Sequence, residues 1–529
     1  MPRSRTRDGL SGLLAVAVAL GLAELLAALF GVTAPVAVVG DYVVDRSPGD
    51  LTKAVIEAFG TRDKPALLLG IVVSSLGLGA LLGVAAGRHF IAGVAGFAAF
   101  GIAAALAGAR LPQAAAVVPV LIAVVAAGSG LAVLRVLLAV ATPQAAERAV
   151  EMPSEGARGS RREFFRVAAA AGGGAAVLAV MGRWVIGPRI DVEAARSAVV
   201  LPTAAPPTPV ATGSTPVAVA APGTRFDIDG LSPLITPNDE FFRIDTALVV
   251  PRVDTETWRL RVTGMVDEPL ELSFPELLAM PAEQATVTLA CVSNEVGGDL
   301  IGNAVWLGIP LVDLLAKAGV QPGATQIVAR SVDGFSVGFP TEVALDGRTS
   351  MVAVGMNGEP LPVVHGFPAR MIVPGLFGYV SATKWLAEIE LTTLEQYDAY
   401  WIRRGWSKQG PIETQSRIDV PRSGQTVSAG RVTLAGVAWG GVRSVSAVEV
   451  RLTRDGENDG EWLNARLSEA LSRSTWRQWA VEWSATPGDY RVEVRATDGD
   501  GETQTELRRR PGPAGATGYH AIRVRVREA

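Results

Sequence analysis

Within residues 1–190, four runs of apolar residues (9–39, 66–87, 90–109 and 111–134) reach or exceed the ~20 residues that carry a helix across a bilayer's hydrocarbon core. Only the first of them holds a charge, Glu24. A fifth run, 167–181, is shorter and rich in Ala and Gly. A chain that opens this way is expected to be a multi-pass membrane protein, with a soluble part built from the remaining residues. Starting from an inside N-terminus places Arg3, Arg5, Arg7, Arg88, Arg148, Arg158, Arg161, Arg162 and Arg166 on cytoplasmic segments, against Arg46, Lys53, Arg62, Lys64 and Arg110 outside before the fifth run. Five spans then put everything after residue 190 on the extracytoplasmic side of the membrane.

The fifth run has two readings. Arg161 and Arg162, followed by two phenylalanines and a weakly apolar stretch, resemble an internal twin-arginine export signal; the other reading is a plain anchor with positive charge inside. Residues 77–83, GLGALLG, mimic a nucleotide fingerprint but lie within an apolar run, where small residues serve close helix packing. Glu24 reads either as a proton or quinone contact or as a packing hydrogen bond.

From 197 to 224 there is no charge and there are six prolines among Ala, Thr and Val, the composition of an extended, semi-rigid linker. Beyond it, strand-like alternation (TWRLRVTGMV, ATVTLAC) mixes with short helical patterns after prolines (PELLAM, PLVDLLAKAG), which predicts an α+β domain. From residue 420 short period-two strands separated by Gly/Asp turns predict an immunoglobulin-like β-sandwich. The expected multidomain layout is a membrane domain at 1–190, a linker at 191–225, an α+β domain at 226–412 and the sandwich at 413–529. The net charge of −4, with no basic excess, gives no sign of a nucleic-acid partner.

Cys291 is the single cysteine of 529 residues, so it forms no internal disulfide. Taken alone it reads as a small buried hydrophobe. His365 before Gly-Phe-Pro reads as a turn histidine, and Arg370 and Lys384 as snorkelling surface residues. Trp439, Trp476, Trp479 and Trp483 read as sandwich core.

Together these residues mean more. TPNDEFF at 236–242, TLAC at 288–291, VWLG at 305–308, MNGEPLPVVHGFPARMIVPG at 356–375, KWL at 384–386 and SRIDVP at 416–421 resemble, in the same order, the sulfite oxidase family of molybdopterin oxidoreductases. The tail is similar to the dimerisation domain that follows in that family. The resemblance implies an α+β sulfite-oxidase-type domain and a molybdenum–molybdopterin cofactor with one pterin. It implies Cys291 as the metal ligand and catalytic centre, because molybdenum takes a soft thiolate. It also implies a cofactor-binding set of Asn238, Phe242, Arg243, Asp245, Thr246, Asp333, His365, Arg370, Ala382, Thr383 and Lys384. Arg370 would offer a planar fork and Lys384 a point charge to the pterin. A homodimer through the tail is expected.

Two departures bear on the substrate. Where sulfite oxidases carry an arginine segment after the cysteine, this chain has CVSNEVGG, so Glu295 is expected near the anion site, where it would repel a dianion. Phe335 stands where a tyrosine is expected near the metal. Three histidines (His89, His365, His520) and one cysteine do not furnish haem or iron–sulfur ligation, and no nicotinamide site is implied. Electrons would therefore pass to a separate partner: a cytochrome, a quinone protein or a soluble carrier. A cofactor-free surface binding or scaffold protein on the same fold, and a transport module with an external regulatory domain, are the alternatives from other classes.

Overall fold

The computed structural model describes residues 4–30, 32–47, 63–108, 117–141, 156–182, 191–204, 225–457 and 460–528. Two compact units emerge: residues 1–191 with 247–250, and residues 192–246 with 251–529.

In the first unit, five helices are long and apolar enough to cross a membrane: Arg5–Phe30, Lys64–Arg88, Phe90–Ala107, Val117–Ala141 and Arg162–Val180. The run at 9–39 is not one helix. Its helix ends at Phe30, and a separate short helix, Pro35–Arg46, begins at a proline. The ring of Pro35 disfavours the helical region for the residue before it, and Ala34 is extended, with φ −62° and ψ 139°. Among the described residues, the fourth helix runs Val117–Ala141, through Arg135, while the last extends back to Gly156. The linker stretch 205–224 and several of the loop charges counted for orientation, among them Lys53, Arg62, Arg110 and Arg148, lie outside the described residues.

Small residues set the closest helix contacts. A Cβ on Gly12 would stand 2.0 Å from the Gly79 carbonyl oxygen, and one on Gly83 would stand 2.1 Å from that of Asp8. The helices Arg5–Phe30 and Lys64–Arg88 thus meet backbone to backbone, and Gly79, inside the GLGALLG stretch, is part of that contact.

The second unit is built on four sheets. One runs in the order Leu270–Ser273, Arg259–Gly264, Leu386–Thr392, Gln326–Ser331, Ser336–Pro340, with a single parallel pair between Arg259–Gly264 and Leu386–Thr392. Another runs Glu283–Ala290, Ile301–Pro310, Met351–Met356, Glu359–Pro360, with Arg370–Ile372 also paired to Met351–Met356. The helices are short and locally encoded. Phe274–Leu278 starts at a capping box in which Ser273 and Glu276 exchange hydrogen bonds. Leu311–Ala318 buries Leu311, Leu314, Leu315 and Ala318, a one-faced stripe, and stops at Gly319 with φ 68°.

The C-terminal region is β-rich. Gln415–Val420, Gly430–Trp439, Arg477–Ala485 and Arg466–Leu467 form one sheet, and Thr426–Ser428, His520–Arg527, Gly488–Thr497, Ala447–Arg454 and Glu461–Asn464 the other. Inward residues of both, including Leu434, Trp479, Val450 and Val492, share one core. Trp439, Trp476, Trp479 and Trp483 are buried.

Residues 191–204 of the expected linker include a helical turn, Val192–Ser197, that lies on the second unit. There Arg196 donates to the Pro360 carbonyl at 2.8 Å and pairs with Glu359.

Candidate active site

The strand Glu283–Ala290 buries its last five residues and delivers the chain to Cys291. The Cys291 N–H donates to the Leu300 carbonyl at 2.9 Å, closing a loop whose interior is pinned by Leu300 N–H donating to Asn294 Oδ1 at 2.9 Å. At 3.4 Å the Ser293 N–H points at Cys291 Sγ. Burial pushes the thiol above its ordinary value, with this N–H only partly opposing it. A buried sulfur of this kind becomes a thiolate only with a cation to hold it, which a metal provides.

Cys291 lines a cleft walled mostly by apolar side chains. Phe242, Asp245, Thr246, Asp333, Arg370, Ala382 and Lys384 line it as well, so eight of the twelve residues expected from sequence converge there. Arg370, on the strand Arg370–Ile372, is only 4% exposed. Its Nη1 donates to the His365 carbonyl at 3.0 Å, its guanidinium carbon sits 4.9 Å from the Trp306 ring centre, and its Nε finds no partner. Burial pulls its pKa down to about 9. Lys384 pairs with Asp245 at 3.2 Å; burial lowers it to about 8, Asp245 pulling it back up and Arg370 pushing it further down. Asp333 is partly buried, and desolvation raises its carboxyl, while the Phe335 N–H donates to it at 3.1 Å.

Four expected residues stand behind the lining. Asn238 is held by Asn357 Nδ2 at 2.8 Å and donates to Glu359. His365 Nε2 lies 2.9 Å from the Asn238 carbonyl, which only accepts, so Nε2 carries the proton and Nδ1 is left as a bare, buried acceptor. Burial, then Arg370, hold this imidazole neutral, with a pKa of about 4. Thr383 spends its hydroxyl on the Ala329 carbonyl at 3.4 Å. Arg243 is exposed and reaches Asp245 at 3.0 Å.

Glu295 is exposed and does not line the cleft, which corrects the expectation that it faces an anion there. The loop closed by Cys291 and Leu300 turns that side chain to solvent. Phe335 does line the cleft. Sequence reasoning missed the aromatic wall formed by Tyr379, Trp385, Trp401 and Trp406. Three of its rings, those of Tyr379, Trp401 and Trp406, touch in series with Phe335 and Tyr400: Phe335–Tyr400 at 5.4 Å, Tyr400–Trp401 at 5.1 Å, Trp401–Trp406 at 6.0 Å and Trp406–Tyr379 at 5.8 Å. Tyr379 donates to the Ser407 carbonyl at 2.6 Å, and burial raises its pKa to about 12.

These donors fit a sulfur-ligated, anionic metallopterin. A guanidinium with an unpartnered Nε calls for an anion, Lys384 adds a second buried cation beside it, and Cys291 supplies the soft ligand.

The comparisons agree. A family model described as oxidoreductase molybdopterin binding domain matches residues 247–401. The chain is 33% identical over 308 residues to the mitochondrial sulfite oxidase of Homo sapiens, covering 49% of this chain and 55% of that protein. It is 36% identical over 157 residues to the uncharacterized oxidoreductase YuiH of Bacillus subtilis, covering 30% of this chain and 76% of that protein. It therefore spans about half the length of the mammalian sulfite oxidase. The sulfane dehydrogenase SoxCD from Paracoccus pantotrophus is similar in structure, with TM-score 0.49 and 23% identity over 58% of this chain and 86% of that one. By its matched domain and by these relatives, the chain belongs to the sulfite oxidase family of molybdopterin-dependent oxidoreductases.

Proposed function

We propose that the chain is a membrane-anchored molybdenum oxidoreductase that moves an oxo group to or from a small substrate, sulfur compounds among them, outside the cytoplasm. The observation that carries this reading is the convergence of Cys291, Arg370 and Lys384 on one cleft.

When bound, molybdopterin supplies two-electron oxo transfer. Cys291 would hold the metal as thiolate, while Arg370 and Lys384 would hold the phosphate and ring edges of the pterin. Asp333, Phe242, Thr246 and Ala382 complete the cradle, with Asn238, His365 and Thr383 bracing it from behind. The indoles of Trp401 and Trp406 and the ring of Phe335 keep bulk water off the sulfur, which strengthens every charge interaction inside.

Two features support a substrate less charged than a dianion. Phe335 offers no hydroxyl, and the lining cations Arg370 and Lys384 are already matched in number by Asp245 and Asp333.

The five apolar helices support membrane anchoring, and the charge count supports an extracytoplasmic catalytic unit. The two-sheet tail is read as an immunoglobulin-like dimerisation domain from 413 onward, after a catalytic domain at 226–412. Electrons pass to a separate cytochrome, quinone protein or soluble carrier. The Arg161–Arg162 pair serves either as anchor flank or as twin-arginine signal.

The test is molybdenum and pterin per chain in protein from a host that makes the cofactor, beside Cys291→Ala. About one metal per wild-type chain, with altered molybdenum spectra in the variant, is the expected result. A folded, exported protein without metal would overturn the enzyme reading in favour of a binding protein.

A further inference from the structure

The oxo-transfer reading leaves the C-terminal sandwich with no part in the chemistry, yet both arms of Cys291 are tied to it. Upstream, Glu283–Ala290 is the end strand of its sheet, paired on one side to Ile301–Pro310. Along its other edge Thr288 N–H donates to the Ser474 carbonyl at 3.0 Å. Thr288 Oγ1 accepts from Trp476 N–H at 2.8 Å, and the Thr286 carbonyl accepts from Ser472 Oγ at 3.0 Å.

Downstream, the loop that begins at Cys291 is gripped at its far turn. Arg417 Nη1 donates to the Gly298 carbonyl at 2.8 Å. That guanidinium is itself fixed by Asp419 Oδ1 at 2.7 Å and by Ser232 Oγ at 2.7 Å. Gly297, at φ +81°, lies so close to the His520 ring that a Cβ there would stand 2.3 Å from it. His520 in turn accepts from Ile418 N–H through Nδ1 at 3.0 Å. Residues 291–300 are therefore closed on themselves by the Cys291–Leu300 bond and pressed against the sandwich at the opposite end.

We propose that Arg417 and His520 are positioning residues for Cys291, and that the sandwich fixes the place and the accessibility of its sulfur. Its use in catalysis rests on the metal-ligand reading above; the restraint on the thiol belongs to the chain itself. A site that must hold a metal in one geometry needs its ligand's supports locked, and a displacement of about 1 Å can cost about a hundredfold in rate. A loop fastened only at its two ends would leave the sulfur free to swing.

Because Cys291 is the sole thiol, reaction of the full-length, detergent-solubilised protein with Ellman's reagent reports on it alone. Protein from a host unable to make the cofactor keeps the sulfur unliganded. Arg417→Met is expected to speed labelling by about tenfold or more through local opening of the loop, and Arg417→Lys to restore most of the protection. Val450→Ala, in the sandwich core away from the loop, controls for general loosening and is expected to change labelling by less than about twofold at a matched loss of thermal stability. If Arg417→Met does not fold, Gly297→Ala, which drives the loop off His520, takes its place with the same expectation. Unchanged labelling in the clamp variants, or equal acceleration in Val450→Ala, would overturn the proposal. Metal analysis of the wild type tests the ligand reading separately, so either idea can fail without the other.

Discussion

The Lys384 ammonium lies 3.2 Å from the Asp245 carboxylate with both side chains more than nine-tenths buried. Removing one partner of such a pair strands the other in low dielectric. Lys384→Met is expected to destabilise the cofactor-free protein by about 3 kcal/mol, the low end for buried pairs, because Arg243 still faces Asp245. Asp245→Asn is expected to cost less above pH 8, where the ammonium, its pKa already lowered to about 8, gives up its proton. Denaturant unfolding of both variants at pH 7 and pH 9 checks the asymmetry.

Arg370 presents the opposite balance. Its guanidinium is buried with one neutral carbonyl, one indole face and an unpartnered Nε. Arg370→Met, similar in length and apolar, is expected to leave the cofactor-free protein as stable as the wild type or more so by about 1–2 kcal/mol, since an uncompensated buried charge is removed. Pterin retained through purification is expected to fall at least tenfold. Thermal unfolding of cofactor-free protein and pterin fluorescence of loaded protein read the two effects apart.

His365 and His520 are both held to about pKa 4 by burial, against an ordinary 6.5. Between pH 6.5 and 4 the unfolded chain takes up protons that the folded chain refuses, so stability falls as pH drops through that window and is insensitive to these groups above it. Each imidazole contributes on the order of 2–3 kcal/mol across the window. Denaturant midpoints from pH 7 to pH 4 are expected to show a shallower decline in His365→Gln and in His520→Gln.

In the unit of apolar helices, Gly12→Val would force a side chain into the Gly79 backbone, which has no flexible end to move aside. The helices Arg5–Phe30 and Lys64–Arg88 would separate, and the midpoint for thermal unfolding in mild detergent is expected to fall by several degrees. Gly128→Val, where a Cβ meets nothing within 4 Å, is the matched control and is expected to leave the midpoint in place.

What was legible in the sequence was what carries a specific chemical demand. A lone cysteine, an arginine in HGFPAR and a lysine in KWL announce themselves, and with the Phe242, Asp245 and Thr246 segment they meet in the cleft. The alternating strands and the short helix after a proline at Phe274–Leu278 were equally plain, because period and proline placement are local properties, whereas the Ser273–Glu276 cap went unread. The aromatic wall was not legible: Trp401 and Trp406 at the cleft and Trp479 in the sandwich core are the same residue type with no local mark that tells them apart. Glu295 was misplaced for the complementary reason. Closeness in sequence to Cys291 suggested closeness in space, but the loop closed by the Cys291–Leu300 hydrogen bond turns that carboxylate outward. The break at Pro35 was overlooked because hydropathy alone runs straight through it.

The end strand Glu283–Ala290 has its outer edge covered by residues 472–476. An uncovered edge strand offers its peptide groups to any passing chain and is a common seed of aggregation. Cutting the protein between residues 412 and 413 would lay bare the Thr288 N–H and the Thr286 carbonyl on a strand that reads TVTLA, so the catalytic half made alone is expected to stick to itself. Expression of this protein for study therefore calls for the tail to remain attached, as a solubility guard for the half that precedes it.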